Sequence, residues 1–279
     1  MAARRGKTLG AAAVHGVLIA YTVVAIFPIL IVLVNSVKTR RAIFGDPLAP
    51  PTPETFSLEG FATVLARSSF EIYFANSLIV TVAALFLVLL FGAMAAWALS
   101  EYRFPGNSLM AIYLAIGIMI PIRLGTIGIL ELASALDLVN TRTILVLVYT
   151  AQGLPLAVFL LSEFMRQLPR ELKDAARCDG VSEYRIFFSI VLPLTRPILA
   201  TVGIFTMIPI WNDLWFPLIL AQADQVRTVT LGIQQFIGQY VTDWNAVIAS
   251  LTLAILPVLA LYLLFSRQLI RGLTSGAVK

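Results

Sequence analysis

Charge and sulfur are both scarce in this chain. Of its 279 residues 13% are charged, one is cysteine and one is histidine. A single cysteine, Cys178, cannot close an internal disulfide, which excludes a disulfide-stapled secreted scaffold. No His, Asp and Glu cluster at metal-ligand spacing appears within the apolar stretches, and no nucleophile–base set is visible, so a membrane enzyme ranks last. Period-two alternation and repeats of 20–50 residues are missing too, which argues against a barrel and a solenoid and for an all-α chain. What the sequence has in excess is apolar surface: 59% hydrophobic residues and a mean hydropathy of +0.90. Soluble domains run at about 45–50% apolar and about 25% charged. The chain therefore reads as an integral membrane protein. Its net charge of +5 then reports orientation, and nucleic-acid binding is not expected.

Six apolar stretches approach the roughly 20 residues that a spanning helix needs. They are Val14–Val34, Asn76–Leu99, Ser108–Ile122 with a break at Pro121–Arg123, Thr143–Leu161, Pro197–Leu220 and Ala246–Phe265. The first is longer than a signal-peptide core and no small-residue cleavage site follows it, so it reads as a retained span. With the N-terminus cytoplasmic, the inside segments hold 13 of the 20 basic residues and the outside segments 7. That bias places both termini inside. The expected organisation is a cytoplasmic tail at 1–13, a first span and extracytoplasmic loop at 14–69, a transmembrane core at 70–266 containing a cytoplasmic loop at 162–196, and a tail at 267–279. Residues 36–75, Pro-rich and polar, read as an extended outer connection.

The loop Ser162–Arg196 is patterned rather than linker-like. Pro169 suits a helix start and Gly180 a position just past a helix end. Between them Leu168, Leu172, Ala175 and Ala176 recur at three- and four-residue steps as one apolar stripe, with Glu171, Lys173, Asp174 and Arg177 covering much of the rest. Val181, Ile186, Phe187, Ile190, Val191 and Leu194 continue as a second amphipathic helix, and Pro193 and Pro197 bracket the return to the membrane. A helix this short needs a surface to pack against. The pattern alone fits a helix lying on headgroups or one docking on a protein.

Asp174-Ala175-Ala176, three residues, Gly180, nine residues, then Ile190-Val191-Leu192-Pro193 resembles the EAA loop of permease subunits of bacterial ABC importers, with Asp174 where that motif has Glu. Trp211-Asn212-Asp213 with Pro217-Leu218, Asn76-Ser77, and the ending Leu273-Thr274-Ser275-Gly276-Ala277-Val278-Lys279 resemble the carbohydrate branch, the maltose/multiple-sugar group. The resemblance implies a MetI-like fold of six transmembrane helices in the bacterial inner membrane. It implies as partners a second homologous permease, two copies of an ATPase subunit and an extracytoplasmic solute-binding protein. The EAA loop would be the coupling helix. Ala175 and Ala176 would form its close-packing surface, Gly180 its turn, and Asp174 and Asp179 would meet basic groups of the ATPase or cap nearby N–H groups. Ile190, Leu192 and Pro193 would set the angle of re-entry.

The chain shows no nucleotide cradle of its own. Gly6-Lys7-Thr8 lacks the upstream glycine and the strand that a phosphate-binding loop needs. No cofactor is expected on this chain, and ATP and Mg belong on the partner ATPase. Asp213 is the notable intramembrane charge, an expensive placement that usually marks a polar pathway or a partner. Asn212 and Asp213, with Trp211, either line the route of the cargo or, for the first two, cap a broken helix or pair with the second permease. The alternatives are an ABC permease for glycerol phosphate or another polar solute, with Arg123 as the one anion-binding candidate, and an ion-coupled secondary transporter centred on Asp213.

Overall fold

A computed structural model describes the backbone of residues 2–238 and 242–275, and the side chains of 14–238 and 242–260. The side chains of the terminal Leu273–Lys279 stretch therefore lie outside the described residues. The described chain is helical, with two isolated antiparallel bridges, Lys38 to Phe56 and Ile237 to Thr242, and no strand. It divides into two compact units.

The first unit comprises residues 1–69 and 233–256. Its long helix α1 (Ala2–Asn35) contains the apolar segment Val14–Asn35, whose side chains are exposed around nearly the whole circumference. A helix that is apolar all round belongs in lipid. The connection after it is folded, not extended. It forms α2 (Arg40–Gly45) and α3 (Glu59–Arg67), and it buries Lys38 to 1% exposure. The Lys38 ammonium is satisfied by the Asp46 carbonyl at 3.1 Å, and the Asn245 amide donates to the Lys38 carbonyl at 2.9 Å. The Pro-rich, polar composition suggests an extended connection and carries no signal for these helices or for the Lys38–Asn245 bond.

The second unit comprises residues 70–232 and 257–279. Its centre is the pair α4 (Phe70–Glu101) and α7 (Arg142–Met165). They approach closely because small residues face each other: a Cβ on Gly92 would lie 2.9 Å from that of Ala157. In lipid such packing is the main source of helix association, since apolar surface gains little by leaving an apolar solvent. One buried cluster includes Val88, Ala96, Trp97, Leu161 and Met165, and a second includes Val80, Leu145, Tyr149, Phe216 and Leu220.

Two expected spans are sharply bent. Helix α5 (Asn107–Met119) turns by 88° into the segment Ile122–Ala135, a 3-10 turn followed by α6 (Thr126–Ala135). The break falls at Ile120-Pro121, where Ile120 is extended, as a residue before proline prefers. After α7 come α8 (Arg170–Cys178), α9 (Glu183–Ile186), a π-helical turn (Phe187–Val191) and α10 (Leu192–Leu194). The stretch Glu183–Leu194 bends by 75° into α11 (Arg196–Asn212). A second break at Asp213 precedes α12 (Trp215–Leu220), and α13 (Val229–Ile233) and α14 (Trp244–Ser275) follow. By length and composition three helices suffice to cross a membrane, and each bent pair adds one if it counts as a span. Within α14 the described apolar portion is Trp244–Ala260.

Candidate functional site

Helix α8 is built as its sequence requires. Pro169 precedes its first residue with extended backbone, and Gly180 ends it at a φ of +74°, where a Cβ is disfavoured. The Gly180 N–H donates to the Arg177 carbonyl and the Val181 N–H to the Ala176 carbonyl, both at 3.0 Å. This is a Schellman cap, and Val181 packs on the same core as Ala176, the apolar contact that usually accompanies one.

The expected single stripe is divided. Ala176 is buried in the cluster with Trp97 and Leu161, while Leu172, Ala175 and Asp179 are exposed. Neighbouring helix residues point about 100° apart, so Ala175 and Ala176 cannot share one outward surface. Ala176 holds α8 to its own subunit, and Leu172, Ala175 and Asp179, spaced three and four apart, form the outward face. Ile190, Leu192 and Pro193 are half-buried, the first two against the same core as Ala176.

Lys173 departs most from its expected solvated place. Its side chain is 6% exposed and pairs with Glu101 at the end of α4, with the ammonium over the Trp97 ring at 5.4 Å. Arg177 is the hub of the cluster. Its guanidinium donates to Glu101 at 2.7 Å, to Asp174 at 2.9 Å and to Glu183 at 2.7 and 3.2 Å. Tyr102 completes the set, its hydroxyl donating to Glu183 at 2.7 Å. The Arg177 hydrogen bonds hold the Glu183 carboxyl below its usual value. The carboxylates around Arg177, Glu183 first, raise its own pKa further. Burial and then the Glu183 bond raise that of Tyr102. Asp174, by contrast, is 62% exposed and turns back onto its own helix. Glu101 and Tyr102 had no motif to mark them. The available signal was a carboxylate placed where a long apolar helix leaves the membrane, opposite a basic loop.

Asp213 organises a second cluster, at the break between α11 and α12. Its carboxylate accepts from the Tyr149 hydroxyl at 2.9 Å and from the N–H groups of Phe216 and Trp215 at 3.1 and 3.3 Å. Arg123, just past the break between α5 and α6, lies 3.4 Å away and stacks over Trp215 at 5.8 Å. Trp215 in turn donates its ring N–H to Thr126 at 3.0 Å. Of the readings open for Asp213, the geometry is that of a cap on a broken helix. Asn212 is exposed and donates to the Ile208 carbonyl at 3.0 Å. Trp211 is buried edge-to-face against Phe74, with 5.7 Å between centroids, so its ring face is not open.

A helical chain with bent spans, and a short capped helix on an ionic anchor between the fourth and fifth expected spans, defines a membrane permease. Residues 88–275 match the family model described as the binding-protein-dependent transport system inner membrane component, and the chain belongs to that family, the inner-membrane permeases of bacterial ABC importers. It is 33% identical over 271 residues to the diacetylchitobiose uptake system permease protein of Streptomyces coelicolor, covering 96% of this chain and 89% of that one. It is 33% identical over 253 residues to the melibiose/raffinose/stachyose import permease protein of Bacillus subtilis, covering 90% and 91%. Among solved structures, a bacterial ABC transporter involved in import of the acidic polysaccharide alginate superposes with a TM-score of 0.78, covering 92% of this chain and 95% of that one at 21% identity. At that identity the likeness speaks for the fold.

Proposed function

We propose that this permease is the transmembrane subunit of an ATP-driven importer of sugars or sugar derivatives, forming half of the translocation pathway. The carbohydrate assignment is supported by the names of the relatives and by the Trp211-Asn212-Asp213 segment. The chain spans the membrane six times with both termini cytoplasmic. It works with a second homologous permease, two ATPase subunits and an extracytoplasmic solute-binding protein. ATP and Mg act on the ATPase, and this chain has no phosphate-cradling loop.

One observation supports the coupling role: α8 turns Leu172, Ala175 and Asp179 outward while its other face, with Lys173 and Ala176, is bound to the transmembrane core. Leu172, Ala175 and Asp179 meet the ATPase cleft, with Asp174 at its edge. Lys173, Ala176 and Arg177 pass the movement on. Closure of the ATPase pair pulls α8, and the pull reaches α4 through Glu101 instead of dissipating in a loop. Gly180, and further on Ile190, Leu192 and Pro193, hold α8 at a fixed angle to α11. The subunit then rocks between outward-open and inward-open states around a fixed centre. Asn212 is the exposed polar group of the pathway segment. Asp213 and Trp211 support the broken helix behind it. The glycerol phosphate alternative relied on Arg123, whose charge here faces Asp213.

The test is purification of the tagged chain in mild detergent from native membranes, with its companions identified by mass spectrometry. A Walker-motif ATPase and a second permease are expected. Ala175→Trp should abolish recovery of the ATPase while the second permease remains. Recovery of the chain alone, with transport unaffected by Ala175→Trp, overturns the coupling reading.

A further inference from the structure

Beside the coupling helix lies a cleft of about 700 Å³ whose arginines Arg103, Arg166 and Arg170 the transport reading does not use. Five cations line it, Arg103, Arg166, Arg170, Lys173 and Arg177, against two carboxylates, Glu101 and Asp174. Lys173 and Arg177 share Glu101, and Arg166 pairs with Glu163 at 2.7 Å. Arg103 and Arg170 have no ion pair among the described residues, so the cleft retains unneutralised positive charge. Next to it is a second, largely apolar groove of about 250 Å³ between α5 and α7, lined by Ala111, Leu114, Val158 and Phe159 among others. Leu99 and Arg166 line both.

A basic cleft adjoining an apolar groove along two membrane helices, with Leu99 and Arg166 at their shared edge, matches an amphiphile with an anionic head and a hydrocarbon tail. The geometry points to a binding site for an anionic phospholipid of the cytoplasmic leaflet, its phosphate between Arg103 and Arg170 and one acyl chain along Ala111 and Phe159. Guanidinium forks suit phosphate oxygens, and basic pockets between membrane helices on the cytoplasmic side bind such headgroups. Free phosphate would use the same cations but has no need of the groove. The proposal rests on the orientation given under Proposed function. A lipid there touches both α8 and the ends of α4 and α7, so its binding would stiffen the joint through which α8 moves.

The test is native mass spectrometry of the full chain, with whatever subunits accompany it, delipidated in detergent and titrated with phosphatidylglycerol, phosphatidylcholine or inorganic phosphate. One tightly held phosphatidylglycerol is expected. Its affinity should fall roughly thirtyfold in Arg103→Gln/Arg170→Gln, by removal of two juxtamembrane cations. Ala111→Trp, which fills the groove and leaves the charges in place, should also weaken it. Arg41→Gln, on an exposed site of the other unit, should not. Equal binding of phosphatidylcholine, or no change in the double variant, overturns the proposal. Phosphate binding that Ala111→Trp leaves intact, without retained lipid, assigns the cleft to a free anion and overturns it too. Because the readout uses neither ATP nor cargo, loss of lipid binding is distinguishable from failure of the coupling reading, which recovery of the ATPase scores separately.

Discussion

The two ionic clusters of the second unit are satisfied in opposite ways. Beside α8, Glu101 neutralises a lysine whose side chain is 6% exposed, and Arg177 ties three carboxylates together. There the charges mainly hold one another, with the Tyr102 hydroxyl as a neutral donor to Glu183. At the break of α11, Asp213 is held chiefly by neutral donors, a tyrosine hydroxyl and two backbone N–H groups, and its cation, Arg123, is 63% exposed. The first arrangement ties the end of α4 to α8 and α9. The second satisfies a helix terminus that would otherwise be left open inside the unit. A charge in a membrane protein thus has two quite different uses, and burial of the partner distinguishes them.

The largest effect should follow from breaking the first cluster. Glu101→Gln leaves the Lys173 ammonium buried without a counter-charge, which costs about 3–5 kcal/mol. The expected readouts are a lower melting temperature in detergent and loss of ATPase recovery. Glu101→Leu with Lys173→Met removes both charges and should recover most of the stability without restoring coupling, since apolar replacements of a buried pair are often neutral. If Glu101→Gln melts like the wild type, the cluster carries no load. Gly180→Val comes next. Nothing lies within 4 Å of a Cβ built there, so the cost is backbone strain at a φ of +74°, about 1–3 kcal/mol. It should be read as weaker ATPase recovery at unchanged membrane insertion. Loss of insertion would instead make Gly180 a folding position.

This contrast explains what could be read from the residues. The helical class and the short capped helix followed from local rules: apolar run length, Pro169 and Gly180. Those rules act over one or two turns, and the structure obeys them at both ends of α8. Lys173 and Arg177 are expected on the polar side of α8 because the local pattern assigns charge to the surface. Their partners lie up to 76 residues away, at Glu101 for Arg177, and one sequence contains no register for such pairs. The breaks at Pro121 and Asp213 are visible as interruptions. The 88° bend at the first, and the meeting of Arg123 with Asp213, depend on how α5 and α11 pack against α7.

Within the second cluster, Asp213→Asn tests the neutral donors. The amide can accept at one position only, so either Tyr149 or an α12 N–H loses its partner, at about 1–3 kcal/mol. The melting temperature should fall by less than in Glu101→Gln, and the order of the two variants is itself the test. Acid should act on the first cluster through Glu183. Glu183 has a lowered pKa because Arg177 donates to it, so its contribution is present above the usual carboxylate value of about 4.3 and is lost as pH falls through the lower folded value. Melting temperature should therefore be flat from neutral pH to about 5 and fall below that, with a shallower fall in Glu183→Gln. An identical pH slope in the two proteins would remove Glu183 from the anchor.

The smallest effect is expected at Arg123. Its guanidinium approaches Asp213 at 3.4 Å but is mostly in solvent, and exposed ion pairs contribute about 0–1 kcal/mol. Its stacking on Trp215 at 5.8 Å adds about 0.5–1 kcal/mol at an exposed site. Arg123→Gln should thus shift the melting temperature little. In a double-mutant cycle with Asp213→Asn, the coupling should stay under about 1 kcal/mol, because Tyr149 and the two N–H groups hold the carboxylate without help. A coupling of about 2 kcal/mol or more would mean that Asp213 depends on its cation as Lys173 depends on Glu101. The two breaks, at Pro121 and Asp213, would then be locked to each other by charge, and the junction between the bent helices would be a second load-bearing joint of the permease.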